Sequence, residues 1–117
     1  MADEKIAPQE FLESQVKLLQ AGDTAGLAER YAEDAIFVRF DRIAHGRDEI
    51  RKLFDDYLAE QPQITGMDAL QVTDDIILYQ AAERLGGRLT TAVGTLVFNN
   101  GLVWRQTVAF VEHRPTG

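Results

Sequence analysis

The first half of the chain carries the hydrophobic spacing of helices. Beyond the polar residues 1–7, Pro8 suits the start of a helix, because the N–H that proline lacks is unpaired at that position in any case. Apolar residues then recur on one helical face until Ala21-Gly22-Asp23, where Asp23 can cap a short second helix with Leu27 and Tyr31 one turn apart. A third helix, closed by Pro62, is predicted from the spacing of Ile50, Leu53, Phe54, Tyr57 and Leu58.

The rest of the chain has strand-like patterns. Ile36-Phe37-Val38 is β-branched and aromatic, and strands are also predicted over residues 67–73, 76–85, 88–98 and 102–112. Gly86-Gly87 and Asn100-Gly101 predict tight hairpins between the last three strands. Three helices and an antiparallel meander predict an α+β fold in one domain, residues 1–117, with the helices layered on the sheet.

Composition and charge exclude several classes of function. The chain of 117 residues has a net charge of −7 and no stripe of lysine or arginine, so nucleic acid is not an expected partner. It has no cysteine, and therefore no disulfide or thiolate chemistry. The acidic residues 1–5 are unlike a secretory signal, and no apolar run approaches the ~18 residues that a membrane span needs. We therefore expect a cytoplasmic protein without a membrane partner.

Four short segments occur in the order found in one known superfamily. They are Ala21-Gly22-Asp23 between the first helices, Tyr31-Ala32-Glu33-Asp34-Ala35 before the first strand, His45-Gly46-Arg47-Asp48-Glu49-Ile50 at the third helix, and Phe98-Asn99-Asn100-Gly101 at the final hairpin. With these segments the chain resembles the nuclear transport factor 2-like superfamily, which includes ketosteroid isomerases and polyketide-cyclase-like proteins. The resemblance implies a cone-like, cystatin-like roll, in which three N-terminal helices pack on a curved, mostly antiparallel sheet around one deep pocket.

The working positions of the isomerase branch are occupied differently in this chain. The resemblance places Arg39 where that enzyme has an Asp general base, Gln15 where it has an oxyanion-stabilising Tyr, and Gly94 where it has a protonated Asp. A guanidinium that is always charged cannot accept a proton, and glycine has no side chain to donate a hydrogen bond. The sequence therefore predicts that the protein is not a ketosteroid isomerase.

The two-residue period of strands predicts which side chains face the pocket. From the sheet, these are Phe37, Arg39, Tyr79, Ala81, Glu83, Ala92, Gly94, Leu96, Phe98, Trp104, Gln106, Val108 and Phe110. From the helices, we expect Gln15, Tyr31 and Phe54 to reach the same space. A wall rich in aromatic residues with few polar tips is typical of a small-molecule site, and Ala92 and Gly94 would leave room for a ligand.

Three residues are candidates for the chemistry of this site. Arg39 is either an anchor for a ligand carboxylate, enolate or phosphate, or the partner of a local acid. That acid would be Glu33, Asp34 or Asp41. Asp41 is a candidate general base if its loop folds inward, and a solvated loop acid otherwise. His45 either titrates near neutral pH or serves only at the start of the third helix.

Other polar residues of the predicted wall have two interpretations each. Gln15 and Gln106 could meet across the pocket and bind a ligand carbonyl, or they could be satisfied core amides. Tyr31 and Tyr79 could be core residues with their hydroxyls bound to backbone, and Trp104 could serve packing alone. The two histidines and the scattered acids lack the spacing of metal ligands, so no metal site is predicted.

Two hypotheses of function follow. The first is a small-molecule pocket protein that binds or transforms a hydrophobic carbonyl or anionic ligand without a cofactor, with any reaction being acid–base chemistry by Asp41 or His45 near Arg39. Such a protein would be an isomerase, a cyclase or a hydrolase-like enzyme. The alternative is a non-catalytic ligand-binding or dimeric interaction module.

A homodimer is expected under both hypotheses, because the outer face of the sheet is too apolar to leave in water. The predicted interface consists of Leu89, Thr91, Val93, Thr95, Val97, Val103, Thr107 and Val111.

Overall fold

The computed structural model describes residues 7–112, so the acidic residues 1–5 lie outside the described range. Its helices are α1 (Pro8–Ala21), α2 (Thr24–Glu29) and α3 (Gly46–Ala59). Its strands are β1 (Tyr31–Arg39), β2 (Arg42–His45), β3 (Gln63–Val72), β4 (Ile76–Leu85), β5 (Arg88–Asn99) and β6 (Leu102–Glu112). Three helices on a six-stranded sheet confirm the predicted α+β fold.

The strands form one open sheet in the order β2-β1-β6-β5-β4-β3. Every neighbouring pair is antiparallel except β1 and β6, which run parallel. The first strand β1 therefore lies beside the last strand β6, and α3 links β2 at one edge of the sheet to β3 at the other. Alternate residues of β5 from Thr90 to Phe98 are buried and those between them are half-buried, so one face of the sheet carries the core.

The predicted hairpins are confirmed by their backbone angles. Gly86 and Gly87 have φ of 59° and 84°, and Asn100 and Gly101 have φ of 54° and 78°. Two consecutive left-handed residues are the signature of the type I′ turn, whose twist matches that of the flanking strands. These turns fix the registers of β4 on β5 and of β5 on β6.

The helices begin as predicted, but the second ends earlier than expected. The backbone N–H of Gly26 donates to Asp23 Oδ1 at 2.9 Å, which is the predicted cap of α2. Tyr31, expected on α2, is instead the first residue of β1 and pairs with Val103. The helix is only six residues long, and long-range pairing with β6 determines the conformation of the residues that follow it.

β2 was not predicted. Its four residues pair antiparallel with the end of β1, in the register Ile36 to His45 and Arg39 to Arg42. A strand of this length carries too little alternation to be seen in the sequence.

A β-bulge in β6 reverses two predicted side-chain directions. Val97 pairs with Arg105 whereas Phe98 pairs with Val103, so Trp104 is an extra residue in β6. Val103 is consequently fully buried in the core, although it was predicted on the outer face. Trp104 is half-buried with the guanidinium carbon of Arg105 3.8 Å from its ring centroid, although it was predicted to face the pocket.

The core lies between the helices and the inner face of the sheet. Tyr31, Phe37 and Phe54 form an aromatic cluster there, with ring centroids 5.9–6.4 Å apart. Several large apolar side chains remain exposed elsewhere. They are Val38, Phe40 and Ile43 around the β1–β2 turn, Met67, Leu70 and Val72 on β3, and Leu78, Leu89 and Val111 on β4, β5 and β6.

Candidate functional site

A cavity of about 100 Å³ lies between α1, α3 and the inner face of the sheet. Its wall includes apolar residues of the two helices, namely Leu12, Val16, Leu19, Leu53 and Phe54. The polar residues of the wall are Gln15, Arg39, Tyr57, Tyr79, Glu83 and Gln106. The cavity is thus a mostly apolar space with polar groups supplied by α1, α3, β1, β4 and β6.

Nine of the residues predicted to bind a ligand line this cavity. They are Gln15, Phe37, Arg39, Phe54, Tyr79, Leu96, Gln106, Val108 and Phe110. Tyr31, Gly94 and Trp104 do not line it. Trp104 is displaced by the bulge in β6, and Tyr31 is fully buried behind the wall, where its hydroxyl donates to Gln106 Oε1.

Gly94 does not leave the space that the sequence suggested. Tyr79 is its partner on β4, and the tyrosine ring lies directly over the glycine. A Cβ atom at position 94 would lie only 2.5 Å from Tyr79 Cζ, which is closer than real Cβ contacts come. The Tyr79 ring therefore packs directly on Gly94, and Tyr79 rather than Gly94 forms the cavity wall.

Gln15 and Gln106 belong to one polar network through the tyrosines. The side chain of Gln15 hydrogen-bonds Tyr31, whose hydroxyl donates to Gln106, and Gln106 also hydrogen-bonds Tyr79. Burial raises the pKa of Tyr79 to about 12 and that of Tyr31 above its usual range, so both phenols keep their protons. The Oε1 atom of Gln15 is buried without a hydrogen-bond partner.

Glu83 and Tyr57 form a second polar group in the wall. Glu83 is 2% exposed, and the Tyr57 hydroxyl donates to its Oε2 at 2.6 Å. Glu83 Oε1 is buried without a partner. Burial raises the pKa of Glu83, as does the nearby charge of Glu60, while the hydrogen bond from Tyr57 lowers it.

The sequence pointed to half of this pair. Alternation along β4 placed Glu83 inward, but it was not selected as a site residue. Tyr57 was assigned only to the apolar face of α3, where it follows Phe54 by three residues and so shares its face.

Arg39 lines the cavity but is already paired. Its Nε and Nη2 atoms donate to the two carboxylate oxygens of Asp41 at 3.0 and 2.8 Å. The Arg39 side chain is 15% exposed, and its guanidinium lies 5.3 Å from the ring centroid of Phe110. Of the two interpretations of Arg39, the observed contacts correspond to pairing with a local acid.

The two predicted catalytic residues lie outside the cavity. Asp41 occupies the β1–β2 turn with its side chain 67% exposed, and the hydrogen bond from Arg39 lowers the pKa of its carboxyl group. His45 is exposed at the N-terminal cap of α3, where its backbone N–H donates to Glu49 Oε1 at 2.9 Å. Each therefore has the structural role that was its alternative interpretation, and the carboxyl group that faces the cavity is that of Glu83.

Part of the wall was missed altogether. β3 contributes Ile64 and Met67, and α1 contributes Leu12, Val16 and Leu19. None of the residues of α1 is fully buried, so this helix covers the cavity without being locked into the core. Between residues 7 and 112, no cluster of histidine and acids could hold a metal ion. No helix in the same range is long and apolar enough to cross a membrane.

Comparison of the sequence with protein-family models and with curated proteins finds no match. Solved structures are similar. An NTF2-like protein of unknown function from Burkholderia xenovorans has a TM-score of 0.78 at 20% identity, over 93% of this chain and 86% of its own. A candidate ketosteroid isomerase from Kribbella flavida has a TM-score of 0.72 at 22% identity, over 86% and 76%.

A candidate polyketide cyclase from Sinorhizobium meliloti has a TM-score of 0.70 at 20% identity, over 79% of this chain and 86% of its own. At these identities the likeness shows the fold. The chain has the nuclear transport factor 2-like fold that its four sequence segments implied.

Proposed function

We propose that this chain uses its nuclear transport factor 2-like fold to bind a small, mostly apolar carbonyl compound in the cavity beneath α1 and α3. One observation carries the proposal. Among residues 7–112, three buried side-chain polar atoms have no hydrogen-bond partner, and two of them, Gln15 Oε1 and Glu83 Oε1, belong to the cavity wall. Buried polar atoms are nearly always paired in folded proteins, so a molecule inside the cavity is their natural partner. A ligand carbonyl can pair with Glu83 Oε1 when that oxygen carries a proton, whereas Gln15 Oε1 accepts only from a donor.

The volume of the cavity limits the size of the ligand. A space of about 100 Å³ is well below the ~300–1,000 Å³ of sites for drug-sized molecules. It suits a ligand of about seven heavy atoms, for which the modest energy per atom predicts a Kd of roughly millimolar. A larger ligand would require α1 to move outward, and this costs least at a helix with no fully buried residue.

The same arguments make steroids poor ligands. The cavity is far smaller than a steroid, and Gln15, Arg39 and Gly94 stand where the resemblance would require the proton chemistry of the isomerase. An unsaturated 3-ketosteroid should be neither bound nor isomerised. Turnover of about one per second or faster, followed by absorbance, would contradict this part of the proposal.

Binding is tested by titrating cyclohexanone, cyclohexanol and cyclohexanecarboxylate into the labelled protein and following backbone amide shifts by NMR. Ala81 lines the cavity and its neighbour Ala82 points to the other face of β4. Ala81→Leu should fill the cavity and abolish binding, while Ala82→Leu should leave it unchanged. The proposal fails if the wild type binds none of these probes, or if Ala81→Leu binds as well as Ala82→Leu.

The alternative function is a non-catalytic interaction module whose cavity holds no ligand. It predicts that neither leucine variant differs from the wild type in the titration. The homodimer expected from the sequence remains a proposal. It is supported by Leu78, Leu89 and Val111, which leave apolar surface on the outer face of the sheet.

A further inference from the structure

The carboxyl group of Glu83 has one oxygen with a hydrogen-bond partner and one oxygen without a partner. Its Oε2 accepts the hydrogen bond of Tyr57, and its Oε1 is buried without a partner although the residue lines the cavity. A neutral carboxyl group has one carbonyl oxygen that accepts and one hydroxyl that donates. In its neutral form, Glu83 can therefore accept from Tyr57 through Oε2 and offer the proton on Oε1 as a donor.

The surroundings of Glu83 favour this neutral form. Glu83 faces Tyr57 from α3, the charge of Glu60 from the residue that follows α3, and Tyr79 from its own strand. Its cross-strand partners are the apolar Ile64 on β3 and the uncharged Thr90 on β5. No cation makes an ion pair with it in the described part of the chain.

The nearest cation in the cavity wall is Arg39 on β1. Its guanidinium donates two hydrogen bonds to Asp41, so its charge is matched outside the cavity. Burial together with the Glu60 charge raises the pKa of Glu83 against the opposing hydrogen bond from Tyr57. These surroundings make neutral Glu83 a donor in a site that otherwise supplies few donors to a ligand.

We propose that Glu83 is the anchor for the carbonyl oxygen of the ligand, which accepts a hydrogen bond from the Oε1–H group of the neutral carboxyl, and that Tyr57 is the residue that positions Glu83. This inference rests on the proposed ligand-binding function and specifies its chemistry. The ligand class is a neutral hydrogen-bond acceptor, such as a ketone, ester or amide. Amines and other cationic ligands, which would need the ionised carboxylate, are not expected to bind.

The proposal predicts how affinity changes with pH. Neutral Glu83 donates and ionised Glu83 cannot, so affinity for a neutral ketone is highest in acid. The affinity falls as pH rises through the raised pKa of Glu83. Above that pKa the fall is up to tenfold per pH unit, until only the affinity due to apolar contacts is left. Ketones do not titrate in this range, so the profile reports on the protein alone.

The test measures the Kd of cyclohexanone by NMR titration from pH 4.5 to pH 8 in the wild type and two variants of Glu83. Glu83→Gln keeps the shape, accepts from Tyr57 through its carbonyl and donates through its amide at every pH. It should bind cyclohexanone throughout, with no pH dependence. Glu83→Leu removes the donor and should weaken binding about fivefold to tenfold in acid, the usual effect of one neutral hydrogen bond.

Tyr57→Phe tests the positioning role. Loss of the Tyr57 hydroxyl removes a hydrogen bond that lowers the pKa of Glu83, so the midpoint of the pH profile should move to higher pH. A purely structural role for Tyr57 would change affinity at all pH values without moving this midpoint. Circular dichroism of each variant at each pH verifies that the fold is retained.

The outcomes separate this inference from the function on which it rests. If no probe binds the wild type at any pH, the proposed function fails. If cyclohexanone binds with the same pH-independent affinity in the wild type and in both Glu83 variants, the function stands and the anchor is overturned. Cyclohexylamine binding that strengthens with rising pH would also overturn it, since Glu83 would then act as an anion.

Discussion

Gly94→Ala is expected to destabilise the protein through a single steric contact. The new Cβ would lie 2.5 Å from Tyr79 Cζ and 2.7 Å from Tyr79 Cε1, so the ring must move away from position 94. An alanine in a strand normally stabilises by roughly 0.5–1 kcal/mol relative to glycine. Overpacking of this kind costs about 1–3 kcal/mol, and the steric term should therefore exceed the gain.

The net loss should be about 1–2 kcal/mol of unfolding free energy, which is on the order of 4–8 °C in Tm for a domain of this size. Tyr79 lines the cavity, so a displaced ring should occupy part of it, and the same variant should also lose cyclohexanone binding. Urea unfolding followed by circular dichroism measures the first effect, and NMR titration measures the second.

Gly66→Ala is the matched control, because it is also a strand glycine and an added Cβ there would meet nothing within 4 Å. It should leave stability unchanged or raise it by up to ~1 kcal/mol. In a Tyr79→Ala background, Gly94→Ala should lose its cost, since the clash has no second partner. The reasoning is refuted if Gly94→Ala is as stable as the wild type, or if its cost persists without the Tyr79 ring.

Two further predictions concern the surface. Asp41→Asn should lower the unfolding free energy by at most about 1 kcal/mol at pH 7, because the Arg39–Asp41 pair is partly exposed to solvent. The pKa of Asp41 is lowered in the folded protein, so this contribution is lost as pH falls below ~4, and unfolding curves of the two proteins that still differ in acid would contradict the pairing. Light scattering at micromolar concentration should give twice the 13.1 kDa of the chain, and Val93→Glu on the outer sheet face should give a monomer. A wild type that is already monomeric, or a variant with the mass of a dimer, would rule out this interface.

Local chemistry made much of the fold predictable. The limits of β4 and β6 follow from alternation and from two turn dipeptides whose left-handed residues only one hairpin geometry accommodates. The cap of α2 follows from one aspartate. In each of these cases, the residues that determine the structure lie within one strand, one turn or one helix end.

The errors have a common physical origin in contacts between distant segments. The bulge at Trp104 depends on β6 pairing with β5 on one side and with β1 on the other. The space beside Gly94 is filled by the Tyr79 side chain from the neighbouring strand β4. The sequence alone shows neither relation, because alternation assumes an uninterrupted strand and says nothing about which cross-strand partner leans over a glycine.

Pairing also separates the carboxyl groups of the candidate site. Asp41 is a candidate base only if its loop folds inward, and its two hydrogen bonds from the Arg39 guanidinium hold it at the β1–β2 turn instead. Glu83 is 44 residues further along the chain than Arg39, and only the packing of α3 over the sheet brings Tyr57 to its carboxylate. Burial and unused hydrogen-bonding capacity are properties of the folded molecule.

The bulge in β6 also determines what the intrinsic fluorescence of this protein can report. Trp104 is the single tryptophan, it does not line the cavity, and its half-buried indole lies under the guanidinium of Arg105. Its emission should shift when the sheet unfolds and the indole becomes hydrated. Because Trp104 is not part of the cavity wall, we expect its emission to follow unfolding and not to change when a ligand occupies the cavity.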